Sequence, residues 1–386
     1  MDKLNALILA PHFLPGYKAG GVLRSLVNFV DLFSDTLSFD VITSDRDLGD
    51  KEPYYSTDPF ERLDKNYTAF YCGGFVSYFS TLIKMLKKKH DFVFLNGLFN
   101  FRYSILFLLL YKFGFCKSKV YLFVRGELFE SALVNKSFLK KNLLSIFRFL
   151  NLFDSVIFLV TDKNEFKVLE AFVGPKVSHI IFPDLPSFSF QESLLSCKLI
   201  KQVRSEELIN LVFVGRIAEI KNIKFFISLL FNVKSKVFFE IYGVVDSLDY
   251  YNQCLLEVSK LPSNVTVLFK GACNYFDLPQ VIYNADMLIL PSFSENFGHV
   301  VAESLLLGVP VFVTKNSPWS DFLENQFGLV MDIDSDFSST INDLKILIDN
   351  KLMKSTSLED RIEFSKAAKR KMISFFKFDE LKQNIF

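Results

Sequence analysis

Short apolar runs recur along the chain, and each stops at a glycine or a polar residue before a stretch with helical spacing. The first is Leu4–Ala10, followed by the Gly-rich PHFLPGYKAGG and then SLVNFVDLF, whose apolar residues fall on one helical face. Phe39–Thr43, Phe92–Leu95, Val120–Val124 and Val156–Val160 repeat the pattern. Runs of strand length that are predominantly apolar fit strands buried on both faces of a parallel sheet with crossover helices. A second series follows: Ile209–Val214, Val237–Tyr242, Val265–Phe269, Met287–Leu290 and Val309–Thr314. A late helix is expected over 358–375.

Between the two series lies a segment with two Pro and five Ser, PDLPSFSFQESLLSCKLIKQVRSE. The expected fold is therefore α/β: two Rossmann-like, doubly wound parallel sheets facing across a cleft. One domain covers 1–185, a linker 186–206 and a second domain 207–365. A helix or tail over 366–386 is expected to pack back on the first domain. A length of 386 residues agrees with two domains rather than one core. In doubly wound sheets ligands bind beyond the carboxyl ends of the strands, so function is expected in the loops there.

Three of those loops carry chemistry. In SENFGHVVAESLLLGVP, Glu295 precedes a helix that starts near Gly298 and ends at Gly308. Glu303 lies eight residues after Glu295, inside that helix. A helix N-terminus suits a phosphate, and flanking carboxylates accept sugar hydroxyls. In VGRIAEIKN, Arg216 and Lys221 follow the first strand of the second series and can neutralise a diphosphate. In PGYKAGGVLR, Gly20 and Gly21 let backbone approach a ligand closely ahead of a helix. Taken one at a time, an ordinary solvated loop or helix start explains the second and third sets as well.

Together, in this order, the three sets resemble the retaining nucleotide-sugar glycosyltransferases of GT-B fold, family 4. The E-x7-E motif is Glu295 to Glu303, the GR…K motif Arg216 to Lys221, and the N-terminal Gly-Gly loop Gly20-Gly21. TSDRDLGD, FLNGLF, RGELFESAL, YGVVDSLDYYNQC, LPSNVTV and ENFGHVVAE are similar to a bacterial surface-polysaccharide subgroup. The resemblance implies that Glu295 contacts the donor hexose and stabilises the reacting complex. It implies that Glu303 takes the ribose hydroxyls and that Arg216 and Lys221 hold the diphosphate. Asn296, Phe297, Gly298 and His299 would line the donor, with backbone N–H groups directed to phosphate and sugar. Gly20 and Gly21 would face the diphosphate, and Tyr242-Gly243 would border the nucleobase. The implied donor is a UDP- or GDP-sugar, with no cofactor and no metal. Cations and a helix N-terminus aimed at the leaving diphosphate lower the barrier by stabilising its growing charge.

Asn96-Gly97 stands where many members of that family have His, and Asn cannot act as a base. Asn96, Arg125 and Glu127 are expected on the acceptor side. Asp45-Arg46-Asp47 reads as a DxD metal–diphosphate pattern, but it follows a strand of the wrong fold, and a solvated loop or helix cap is expected. His12 is expected to be a loop residue, and Thr161 with Glu165 a helix-capping pair.

Net charge is +1 for the whole chain, which gives no global field toward nucleic acid. Its distribution is uneven: 84–148 holds 13 Lys/Arg and 3 Asp/Glu, a net of +10, leaving −9 for the rest. Lys84, Lys87, Lys88 and Lys89 form one cluster. Over 136–150, Lys136, Lys140, Lys141 and Arg148 share one helical arc, and Leu139, Leu143, Ile146, Phe147 and Leu150 another. Peripheral contact with an anionic membrane is expected, at the cytoplasmic face. Tyr103–Tyr111 is the longest apolar window and is about half of a bilayer span. The five Cys are expected to be reduced and buried. The function expected is sugar transfer to a lipid-linked glycan or another saccharide in bacterial surface polysaccharide synthesis. The alternatives are an epimerase or phosphorylase on the same fold, or a non-catalytic nucleotide-sugar-binding subunit.

Overall fold

A computed structural model describes residues 3–128, 147–148, 150–175, 177–196, 199, 208–323, 326–332 and 357–385. It divides into two compact units, Met1–Leu185 with Phe378–Phe386, and Pro186–Lys377.

The first unit is built on an eight-stranded sheet. Its strands are β1 (Leu4–Leu9), β2 (Leu37–Ser44), β3 (Phe60–Leu63), β4 (Tyr67–Cys72), β5 (Phe92–Asn96), β6 (Lys119–Phe123), β7 (Val156–Val160) and β8 (His179–Ile181). The order is β3-β4-β2-β1-β5-β6-β7-β8. Every pairing is parallel except the edge hairpin β3–β4. Crossovers include α1 (Gly21–Phe33), α2 (Phe75–Lys87), α3 (Leu106–Lys112) and α4 (Lys163–Val173). The chain's 46 Phe residues find part of their use here. Phe29 of α1 meets Phe94, Phe123 and Phe182 edge-on, with centroids 4.8, 5.3 and 5.7 Å away. Such aromatic pairs add about 0.5–1.5 kcal/mol each beyond burial. In the 103–111 window Tyr103, Ile105, Phe107 and Leu108 are buried, so it belongs to the core. Among the described residues no helix is long and apolar enough to cross a membrane. The basic stretch 136–150 lies almost wholly outside the described residues.

The second unit opens with α5 (Ser189–Leu195), within the segment expected as linker; its Phe190 and Leu194 are buried in this unit's core. Strands β9 (Leu208–Val214), β10 (Lys236–Tyr242), β11 (Val265–Gly271), β12 (Met287–Leu290), β13 (Val311–Thr314) and β14 (Gly328–Met331) follow. They pair in parallel in the order β11-β10-β9-β12-β13-β14. The crossovers are α6 (Ile223–Leu229), α7 (Leu248–Val258), α8 (Leu278–Asn284), α9 (His299–Leu306) and α10 (Ser320–Leu323). Helix α11 (Leu358–Phe375) runs through position 366 without a break, and α12 (Phe378–Ile385) belongs to the first unit. There Tyr121 Oη donates to the carbonyl of Ile385 at 2.5 Å. Cys72 and Cys254 are buried thiols, whereas Cys116 and Cys273 are half-buried, a departure from the expectation for all five.

Candidate functional site

In the second sheet the strand order reverses between β9 and β12, and doubly wound sheets bind ligands in the loops after the strands at such a reversal. Both loops carry the charged residues singled out in the sequence. They are joined twice. The N–H of Phe293 donates to the carbonyl of Ile220 at 2.9 Å. Lys221 Nζ lies 2.5 Å from Glu295 Oε1, with side-chain exposures of only 17% and 8%. Ser292 Oγ donates to the same carboxylate oxygen at 2.6 Å, and Thr314 Oγ1 donates to the Ser292 carbonyl at 2.6 Å. A carboxylate and an ammonium are thus fixed side by side, 74 residues apart in sequence.

The turn from Glu295 into α9 is held from below. Phe297 is buried, its ring centroid 5.2 Å from Trp319 and 4.7 Å from His299. Trp319 Nε1 donates to the Phe297 carbonyl at 2.5 Å. Gly298 then takes φ 78° as the residue before α9, a left-handed conformation that favours glycine. Gly308 takes φ 72° just beyond the helix, so both ends fall where the sequence puts them. Asn296 is exposed, and Glu303 is buried on α9.

Arg216 is not brought to the Lys221–Glu295 pair. Its guanidinium bonds Asp246 Oδ2 at 2.9 Å, with side chains 64% and 51% exposed. An ion pair so open to water is worth about 0–1 kcal/mol and is readily exchanged for another anion. Tyr242 and Gly243 close β10 against β9. The N–H of Gly215 donates to the Tyr242 carbonyl at 2.9 Å, and that of Gly243 to the Gly271 carbonyl at 2.8 Å. A Cβ on Gly243 would lie 1.7 Å from the Gly215 oxygen.

In the first unit the reversal falls between β1 and β5. Gly20 takes φ 64° and Gly21 begins α1, whose N-terminus has no side-chain cap and no acidic residue in its first turn. Asn96, at the end of β5, is buried and accepts from Arg125 Nε at 3.0 Å. Arg125 also bonds Asp184 at 2.7 Å and lies over the Phe123 ring at 4.2 Å. Burial pushes its pKa below the ordinary value, against the opposing pull of Asp184 and Glu165. Glu127 accepts from the N–H groups of Leu98 and Phe99 at 2.7 and 3.1 Å. The three residues therefore converge, tied to one another's loops by their own bonds.

Several partners were not marked by the sequence: Ser292 and Trp319 under the Glu295 turn, Asp246 beside Arg216, and Asp184 beside Arg125. Glu165 is buried and accepts from the N–H groups of Gly126 and Thr161 at 2.5 and 2.6 Å, while Asp162 supplies the helix cap of α4. The expectation of a solvated loop at Asp45-Arg46-Asp47 is corrected: both aspartates are buried. Asp47 is turned inward onto the Gly-rich loop, where the N–H groups of Tyr17 and Lys18 reach Oδ2 at 2.8 and 3.1 Å.

Residues 198–371, nearly the whole second unit, match the family model described as Glycosyl transferases group 1. No relative of the chain is found by sequence among curated proteins. Among solved structures the fold resembles sucrose-phosphate synthase from Thermosynechococcus elongatus, at 15% identity over 100% of both chains and a TM-score of 0.65. It also resembles the Anabaena protein HepE in complex with UDP and glucose, at 14% identity over 99% and 98% of the chains and a TM-score of 0.61. A third likeness is WaaG, a glycosyltransferase involved in lipopolysaccharide biosynthesis, at 15% identity over 96% and 99% and a TM-score of 0.55.

Proposed function

We propose that the chain is a glycosyltransferase of group 1, on the GT-B fold, that transfers a sugar from a UDP- or GDP-sugar with retention of configuration. The observation that carries the proposal is the Lys221–Glu295 pair, fixed on the two loops at the strand-order reversal and inside the matched segment. Lys221 would neutralise the leaving diphosphate, joined by Arg216 once it exchanges Asp246 for phosphate. Glu295 is the catalytic carboxylate, beside the donor hexose. Glu303 takes the ribose hydroxyls. Asn296, Phe297, Gly298 and His299 shape the turn whose N–H groups meet phosphate and sugar, and Tyr242-Gly243 borders the base. Gly20 and Gly21 add N–H groups at the start of α1. No metal is required in this scheme, since side-chain cations carry the charge.

The acceptor is a lipid-linked glycan or another saccharide, in bacterial surface polysaccharide synthesis, with Asn96, Arg125 and Glu127 bracketing its side. Peripheral contact with an anionic membrane is supported by α2. Its outer surface exposes Phe75, Val76 and Phe79, and Lys84, Lys87, Lys88 and Lys89 are exposed at its other end and just beyond. Release of UDP or GDP from a panel of nucleotide-hexoses, with bacterial glycolipid extract as acceptor, tests the assignment. Turnover should fall at least about a hundredfold in Glu295→Ala, as expected for a group acting at the transition state. Turnover that survives in Glu295→Ala contradicts it.

A further inference from the structure

We propose that Asp47 is a positioning residue, holding the Gly-rich loop of the first unit in the shape that receives a phosphate. The proposal rests on the nucleotide-sugar reading above, in which Gly20 and Gly21 meet the diphosphate.

The loop from Leu14 to Gly21 contains three glycines and cannot hold one shape by its own preferences, because glycine loses the most backbone freedom on ordering. Its order comes from outside. Asp47, 4% exposed, accepts from Tyr17 and Lys18 N–H through Oδ2, and from Leu48 N–H through Oδ1 at 2.8 Å. Three N–H groups thus converge on one carboxylate. That is the chemistry of a charge-assisted backbone clamp, not of a metal ligand. Neighbouring contacts point the same way. Lys18 Nζ reaches Asp50 Oδ1 at 2.5 Å, and Tyr71 Oη donates to the Leu14 carbonyl at 2.5 Å. Gly16 lies so close that an added Cβ would fall 2.9 Å from Asp47 Oδ1 and 2.5 Å from Tyr54 Oη. By contrast nothing lies within 4 Å of a Cβ built on Gly20. One end of the loop is clamped, and its tip, where α1 begins, is open. Of the two DxD acids, Asp47 thus acts on the Gly-rich loop, while the Asp45 carboxylate is held by Arg46 at 2.8 and 3.0 Å.

The test compares a nucleoside diphosphate with its monophosphate, which lacks the phosphate that the loop would meet. Calorimetry is run with UDP and UMP, and with GDP and GMP, on wild type, Asp47→Ala and Asp47→Asn. Asp47→Ala should weaken the diphosphate about tenfold and the monophosphate less than about twofold. Asn keeps one acceptor oxygen for Tyr17 and Lys18 and should recover most of the loss. Equal weakening of both nucleotides, unchanged diphosphate binding, or an Asn variant no better than Ala overturns the proposal. Hydrogen exchange provides the second readout. In Asp47→Ala, a peptide covering 11–24 should exchange faster while peptides from β1 and β2 do not change. A wild-type chain that binds neither diphosphate contradicts the donor reading itself. Unchanged exchange over 11–24 then removes the clamp as well, whereas faster exchange there retains it.

Discussion

Gly243→Ala tests whether the donor loops depend on the close approach of β9 and β10. The added carbon would lie 1.7 Å from the Gly215 oxygen, where ordinary contact begins at 3.4 Å, an overlap of about 1.7 Å. Both partners are backbone, so no rotamer change relieves it. Overpacking of side chains costs about 1–3 kcal/mol, and a backbone clash of this size belongs at or above the top of that range. The Gly215 N–H···O=C bond to Tyr242 and the Gly243 bond to Gly271 would be strained together, shifting the segment that leads to Arg216 and Lys221. The assay is urea unfolding, with UDP and GDP binding measured on the same sample. Gly114→Ala is the control: its φ is 82°, but nothing lies within 4 Å of the new Cβ, so only conformational strain of about 1–2 kcal/mol applies. We expect Gly243→Ala to lose about 3 kcal/mol or more and nucleotide affinity with it, and Gly114→Ala to lose less and bind as wild type. Gly243→Ala with wild-type stability would refute the reasoning.

Three further outcomes follow from the geometry. A double-mutant cycle by urea unfolding on Lys221→Ala and Glu295→Ala should give a coupling above about 1 kcal/mol, because the pair is shielded from water. The same cycle on exposed Arg216 and Asp246 should give less than about 0.5 kcal/mol, and equal couplings would contradict the distinction. Burial lowers the His12 pKa below its ordinary 6.5, although Asp47 pulls it up. Its contribution is then complete above about pH 6.5 and lost as pH falls toward the lower folded value, so stability should decline with acidification. His12→Gln should flatten that decline in Tm between pH 7.5 and 5, and an unchanged slope counts against it. Trp319→Phe keeps the ring but removes the N–H that meets the Phe297 carbonyl; it should cost about 1–2 kcal/mol in urea unfolding, and no loss would separate Trp319 from the turn.

How far the sequence carried the account depended on the range of the forces. Strands such as β7 and β12 are continuous apolar runs and stand out as such. Helix α9 is legible at both ends because Gly298 and Gly308 occupy positions where positive φ is needed. The β3–β4 hairpin escapes notice because Phe60–Leu63 is an exposed edge whose composition resembles a loop; only pairing with Tyr67–Cys72 makes it a strand. The charged residues of the site could be listed, but not their partners. Asp47 meets Tyr17 across 30 residues and Arg125 meets Asp184 across 59, contacts that only the folded sheet creates. Hence Asp45 and Asp47, polar and flanking an arginine, looked solvated, whereas backbone N–H groups make burial of Asp47 tolerable.

The most direct test of the central claim is calorimetric binding of UDP and GDP, with EDTA present, to wild type and to the Lys221→Ala/Glu303→Ala variant. Wild type should bind one of the two selectively without metal, and the variant should not. Binding of neither nucleotide by wild type, or undiminished binding by the variant, would contradict it.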